Sequence, residues 1–408
     1  MKVVFLGGLF PDEQRVFIEE NSKGVIQNAA DALQWSLFRG ALDVLGDDVS
    51  YINLPFVGSY PKRAKSLFFP GGRFSVKGGG EVLGLPFINV TGVKLFSRLL
   101  SSIRGLIKSK LISGIIIVYS AHTPFMIASI LYRMLFKDVK LCLVIPDLPE
   151  YMGGKGLLYS VFKQIDILLF YFLVRKFDYY VLLTKQMGEK LKLNKDRVVI
   201  VEGIASAFRG SQDFTGKIDS YPLGDELDRV FLYSGTLARR YGILHLLEAF
   251  SLLQIQSCSL LICGDGDARD DVVYAARKDN RIHYLGQLSR GDVRVLQEKV
   301  FCLINPRMDD GEYTKYSFPS KIMEYMSSGR PVIMYHLPGI PGDYIGYFFS
   351  PADGSARSLA DCMRRVAELS NSVADQFGKA ARDFVVENKN ERSQFLKIFK
   401  LFNGEKNA

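Results

Sequence analysis

The feature that most restricts what this chain can fold into is a series of short, largely β-branched apolar runs, each closed by glycine or a polar residue. Residues 3–6 run into Gly7 and Gly8, residues 114–119 into Ser120, Ala121 and His122, and residues 141–145 into Pro146 and Asp147. Runs at 179–183 and 198–201 follow. After a polar gap the pattern resumes: 230–233 into Ser234, Gly235 and Thr236; 260–263 into Gly264 and Asp265; 282–285 into Gly286 and Gln287; 301–304 into Asn305, Pro306 and Arg307. Unalternated runs of this length read as strands buried on both faces, and the helical patterns between them make the sheets parallel. The expected fold is α/β, with two doubly wound parallel sheets, and ligands of such sheets bind at the carboxyl ends of the strands.

A chain of 408 residues suits two domains of about 150 to 200 residues each. The boundaries read as a first domain at 1–205, a linker rich in glycine, serine, aspartate and proline at 206–228, a second domain at 229–385, and a terminal helical stretch at 386–408 placed to pack back on the first domain. Residues 57–92, rich in glycine, proline and basic residues, read mostly as a long loop. The five cysteines form no Cys-x-x-Cys pair and lie in or beside apolar runs, as buried thiols in a reducing compartment do. The opening MKVVFLGGLF reads as a first strand and not a signal peptide. The longest apolar run, 167–174, is far short of the roughly 20 residues that cross a bilayer.

The net charge of +9 is unevenly distributed. Between Lys94 and Lys140 stand eight basic residues against one acid, Asp138, and residues 61–80 carry five basic residues beside Phe68, Phe69 and Phe74 with no acid. No zinc-finger, homeodomain or RNP-type motif accompanies these charges, so nucleic acid is not expected as a partner. An anionic membrane surface fits better, a solvated basic face being the alternative. The segment 96–110 reads as a basic amphipathic helix with Phe96, Leu99, Leu100, Ile103 and Ile107 as its apolar stripe.

The stretch SFPSKIMEYMSSGRPVI, from Ser317, carries the most chemistry. Pro319 and Ser320 read as a helix start with a serine oxygen as cap, Ile322, Met323, Tyr325 and Met326 as its buried face, and Gly329 and Pro331 as its end. A helix start favours an anion, and Lys321 adds a full charge there. Glu324, one turn on, is placed to accept hydrogen bonds from two sugar hydroxyls, so this element could hold a nucleotide by phosphate and ribose together. Solvated charges on an ordinary amphipathic helix are the plain alternative.

Taken in order, GTLARRYG with its following LLEAF, CGDGD, HYLGQL, NPR and FPSKIMEYMSSGRPVI give the chain a resemblance to the GT-B glycosyltransferases, and among them the retaining family 4 group of bacterial surface-polysaccharide synthesis. The resemblance spans nearly the whole chain and implies two facing Rossmann-like domains with a cleft between them. It implies a nucleotide-sugar bound by the second domain, with Glu324 on the ribose, backbone near Gln287 and Leu288 at the base, and Ser317, Phe318, Pro319, Ser320 and Lys321 near the donor. Gly235, Thr236 and Gly264 fall in the donor-side turns. Gly7 and Gly8 match the family's glycine loop beside the diphosphate, and His122 its histidine close to the transferred sugar.

Three positions depart from the pattern. Tyr316 stands where many members carry a glutamate that contacts the donor sugar, and Thr236 and Tyr241 stand where many carry a diphosphate-binding arginine and lysine. Arg239, Arg240, Arg307 and Lys321 are the substitutes for that charge, Lys321 with one of the two adjacent arginines being favoured. The implied reaction retains configuration through an oxocarbenium-like transition state, needs no cofactor, and is independent of metal, since Asp265 and Asp267, like Asp309 and Asp310, lie in loops without a metal-site setting. The expected acceptor is a lipid-linked saccharide, at the cytoplasmic face of the inner membrane. Rival readings are an epimerase or soluble transferase of the same fold, or a partner subunit that has lost catalysis.

Overall fold

The computed structural model describes residues 1–24, 26–76, 79–151, 157–205, 229–309 and 311–405. The linker expected at 206–228, and Asp310, lie outside them. Two compact units emerge: Met1–Ile204 with Lys315–Phe318 and Asn390–Ala408, and Ala205–Thr314 with Pro319–Lys389.

The first unit runs β1 (Val3–Gly7), α1 (Asp12–Asn21), α2 (Asn28–Leu45), β2 (Val49–Asn53), β3 (Phe68–Phe69), β4 (Gly72–Ser75), β5 (Glu81–Gly84), β6 (Phe87–Ile88), α3 (Lys94–Ser109), β7 (Gly114–Tyr119), α4 (Thr123–Leu135), β8 (Val139–Ile145), α5 (Leu157–Val174), β9 (Tyr179–Leu182), α6 (Lys185–Lys190) and β10 (Val198–Ile200). Its sheet has the order β10-β9-β8-β7-β1-β2-β5-β4, parallel except where β4 returns against β5. The expected loop at 57–92 is thus partly sheet. Strands this short are fixed by their partners: β5 extends the parallel ladder of β2, and β3 pairs with β6.

The second unit runs β11 (Arg229–Ser234), α7 (Ile243–Leu252), β12 (Cys258–Cys263), α8 (Arg269–Lys278), β13 (Ile282–Gly286), α9 (Arg290–Lys299), β14 (Cys302–Asn305), α10 (Lys321–Ser327), β15 (Val332–Met334), α11 (Ala356–Ala367) and α12 (Asn371–Asn388). Its five strands, in the order β13-β12-β11-β14-β15, are all parallel. The final helical stretch is broken into two, because Asn390 caps a new helix, α13 (Glu391–Phe402), with its side chain on the Ser393 amide. Helix α13 packs on α2, placing Phe395, Ile398 and Leu401 in the core beside Phe5 and Phe38. All five cysteines are buried and free.

In each sheet the strand order reverses at one point: between β1 and β7 in the first, and between β11 and β14 in the second. Loops diverge at such a point and leave a crevice at the carboxyl ends of the strands. Gly7, Gly8 and His122 stand at the first reversal, and Gly235, Thr236 and Arg307 at the second.

Helix α3 packs with a largely polar face inward. Its inward face is Lys94, Arg98, Ser101, Ser102, Gly105 and Leu106; of its apolar stripe Leu99 and Ile103 pack against the core, while Phe96, Leu100 and Ile107 are 61%, 41% and 56% exposed. Arg98 is buried because the carbonyls of Leu54 and Pro55 accept its protons and the rings of Phe56, Phe87 and Phe125 lie 5.0 to 5.2 Å from its guanidinium. A buried cation needs such partners to replace water.

Candidate functional site

In the second unit, α10 has the buried face Ile322, Met323, Tyr325 and Met326, and Gly329 ends it at φ +78°. Its start differs from expectation. Ser320 is already helical, at φ −55° and ψ −26°, and its side chain caps no amide. The first turn is closed instead by the Ile322 amide on the Pro319 carbonyl, at 3.0 Å. With seven residues the helix has little dipole to offer, so the positive charge here is the Lys321 ammonium.

That ammonium lies directly over the turn after β11. An ideal Cβ on Gly235 would stand 2.4 Å from Lys321 Nζ, and the residue has φ +150°. Only glycine admits both the backbone and the lysine. The rings of Tyr233 and Tyr325 lie 5.9 and 5.5 Å from Nζ, and among the described residues no carboxylate pairs with it. Gly264, at the end of β12, packs against Gly235, and its amide donates to the Gly286 carbonyl at 2.8 Å. The strand-end turns carrying Gly235, Thr236, Gly264, Gln287 and Leu288 are thereby set side by side.

Glu324 is exposed, and its Oε1 accepts a hydrogen bond of 2.6 Å from Gln297 of α9. Gln297 was not singled out from the sequence: it lies on another helix, 27 positions before Glu324, and no motif marks it.

The candidate arginines separate. Arg239 is paired with Asp271 of α8 at 2.7 Å. Arg240 and Arg307 both approach the ring of Tyr241, at 5.0 and 5.7 Å. Of the two adjacent arginines, Arg240 is therefore the one left on the side of Arg307. Asp265 and Asp267 serve the turn itself, accepting from the amides of Gly266 and Arg239 at 2.9 Å each.

Tyr316, Ser317 and Phe318 are assigned to the first unit. Tyr316 stacks on Tyr151 at 5.5 Å, and Lys190 Nζ lies 4.5 Å from the Tyr316 ring. Tyr316 is thus part of an aromatic and cationic cluster.

At the first unit's reversal point, Ser120 takes a left-handed conformation at φ +74°, uncommon for a residue with a Cβ, and this bend brings His122 to the start of α4. The imidazole meets Phe56 and Phe125 edge-on at 5.6 and 4.5 Å. The residue is half-buried as a whole, but its Nε2 is enclosed and has no hydrogen-bond partner among the described residues. Burial, reinforced by the charges of Arg98 and Lys94, holds its pKa well below the usual histidine value. Burial and Arg98 also bring Lys94 down to about 7. The glycine loop is engaged from within: the Gly8 amide donates to Gln34 Oε1 at 2.7 Å, as does the Tyr51 hydroxyl. A Cβ on Gly8 would meet the Leu54 carbonyl at 2.5 Å and the Phe56 ring at 2.7 Å, so internal packing alone requires glycine there.

Residues 228–368 match the family described as Glycosyl transferases group 1. No curated protein matches the chain in sequence. Among solved structures it is similar to sucrose-phosphate synthase from Thermosynechococcus elongatus (16% identity, TM-score 0.66, 99% of this chain and 98% of that one). It is also similar to a glycosyltransferase from Rickettsia africae (17%, 0.66, 100% of both) and to HepE from Anabaena in complex with UDP (12%, 0.63, 99% and 100%). The family match thus falls on the second unit, and the whole chain shares the two-domain GT-B fold of these structures.

Proposed function

We propose that this enzyme transfers a sugar from a nucleoside-diphosphate sugar, with retention at the anomeric carbon, to a lipid-linked saccharide in surface-polysaccharide synthesis. The observation that carries the donor half is Lys321 seated on Gly235 with Glu324 fixed beside it. An ammonium without a carboxylate partner supplies a counter-charge for a diphosphate, and a held carboxylate accepts from a vicinal diol. HepE bound to UDP-glucose, and a lipopolysaccharide outer core galactosyltransferase, WaaB, of the same fold, support the reading. In it Lys321, with Arg240 and Arg307, meets the charge that develops on the departing nucleoside diphosphate, Glu324 grips the ribose, and neutral His122 contacts the transferred sugar. Protein cations meet the phosphate charge, so the reaction is metal-independent. The test is a panel of nucleotide-sugars, each scored for thermal stabilisation of the full chain, since a ligand bound to the native state alone raises its melting temperature. One sugar nucleotide should stand out. A flat panel contradicts the donor assignment.

The acceptor half rests on the outward apolar stripe of α3. Helices α3, α4 and α5 bury their inner residues in one core on one side of the sheet, so their outer faces form one surface. On it Phe96, Leu100, Ile107, Met134, Leu135 and Phe172 are exposed, with Arg104, Lys108, Lys110 and Lys137 among them. Apolar residues interspersed with lysine and arginine suit an anionic lipid surface. No helix among the described residues is long and apolar enough to cross a membrane, so attachment here is peripheral, at the cytoplasmic face of the inner membrane in this reading. Replacing Phe96 and Leu135 together by aspartate should lower sedimentation with phosphatidylglycerol-containing vesicles about tenfold or more, given 1.5–3 kcal/mol for each large apolar side chain removed from water. Neutralising Lys62, Arg63 and Lys65 should weaken it further. Unchanged sedimentation removes the membrane from the account.

A further inference from the structure

We propose that Gln297 is the positioning residue that sets Glu324 for ribose recognition; this rests on the reading of Glu324 as the ribose acceptor. Gln297 and Ser234 are each 1% exposed, and Glu324 is exposed. The Gln297 amide donates one proton to Ser234 Oγ at 2.9 Å and one to Glu324 Oε1 at 2.6 Å. A carboxylate only accepts, so the amide nitrogen must face it, and both amide protons are then used. Ser234 is fixed in turn: its amide donates to the Tyr325 hydroxyl at 3.0 Å, and that hydroxyl donates to the Ser234 carbonyl at 3.1 Å. An anchor spanning α9, β11 and α10 thus restrains a side chain that would otherwise rotate freely.

The chemistry of the anchor suits its task. A lysine at this position would neutralise the carboxylate and a second carboxylate would repel it. The amide restrains Glu324 while leaving its full charge, and no other hydrogen bond to its carboxylate forms among the described residues. Oε2 therefore stays open to a hydroxyl. Ordering a flexible side chain before the ligand arrives spares that cost on binding.

The experiment uses the full chain and the tightest-binding of uridine, guanosine, cytidine and adenosine diphosphates, beside its 2′,3′-dideoxy analogue. Wild type should prefer the ribonucleotide. Gln297→Glu should lose about tenfold of that preference, with little change in affinity for the dideoxy analogue, whose recognition does not use Glu324. Gln297→Met, which carries no charge, should fall in between and keeps the test open if the glutamate variant does not fold; melting temperatures without nucleotide report folding. Undiminished preference in a folded variant overturns the positioning role. A wild type that does not discriminate, or binds none of the four, overturns the ribose reading itself and the inference with it.

Discussion

Glu324→Ala should abolish thermal stabilisation by the matching sugar nucleotide and lower the unliganded melting temperature only modestly, through the acceptor that the buried Gln297 amide loses. Glu324 is exposed, so truncating it removes little packing. What is lost is a pair of charge-assisted hydrogen bonds to the ribose, each of about 1.5–3 kcal/mol. A combined loss of about 3 kcal/mol or more corresponds to a dissociation constant raised at least about 100-fold. Glu324→Gln, which keeps the shape and one acceptor, should fall between. Binding by the alanine variant as tight as wild type would show that the carboxylate does not meet the donor.

The second large effect is expected at His122. His122→Ala should retain donor binding and lose transfer by about 10²-fold or more, the scale on which removing one group that meets developing charge acts. Its melting temperature should not fall far, because the buried Nε2 makes no hydrogen bond that the variant would forfeit. The pH dependence follows from the depressed pKa. The folded imidazole stays neutral where the unfolded chain takes up a proton, near pH 6.5, so the unfolded state binds more protons below that pH. Stability therefore falls as pH drops through about 6.5, and this decline should be shallower in His122→Ala. A fully active variant would reduce His122 to a residue packed on Phe56 and Phe125.

The two parallel sheets were readable because buried parallel strands leave short, unalternated apolar runs closed by glycine or polar residues, and the inner face of α10 because its apolar spacing is unambiguous. Other features depend on partners remote in sequence. Arg98 reads as surface charge until the carbonyls of Leu54 and Pro55 and three phenylalanine rings are seen around it. For the same reason the face of α3 that carries Arg98 packs inward, while Phe96, Leu100 and Ile107 of its apolar stripe face outward. Strands β3 to β6 are too short to have a period and exist through their pairing. The Gly8 amide looked available to a ligand, but Gln34, on α2, takes it. Gln297 carries no local signal at all, since its importance comes from two side chains on different elements.

The central claim, that the second domain holds a nucleoside diphosphate between the turn after β11 and the start of α10, is tested most directly by amide hydrogen exchange of the full chain. Exchange is followed by mass spectrometry with and without a saturating amount of the nucleotide that stabilises it. Slower exchange is predicted in peptides covering 233–242 and 318–328, with 12–48 unchanged. No protection in either of the first two segments, while the nucleotide binds elsewhere, would contradict the account.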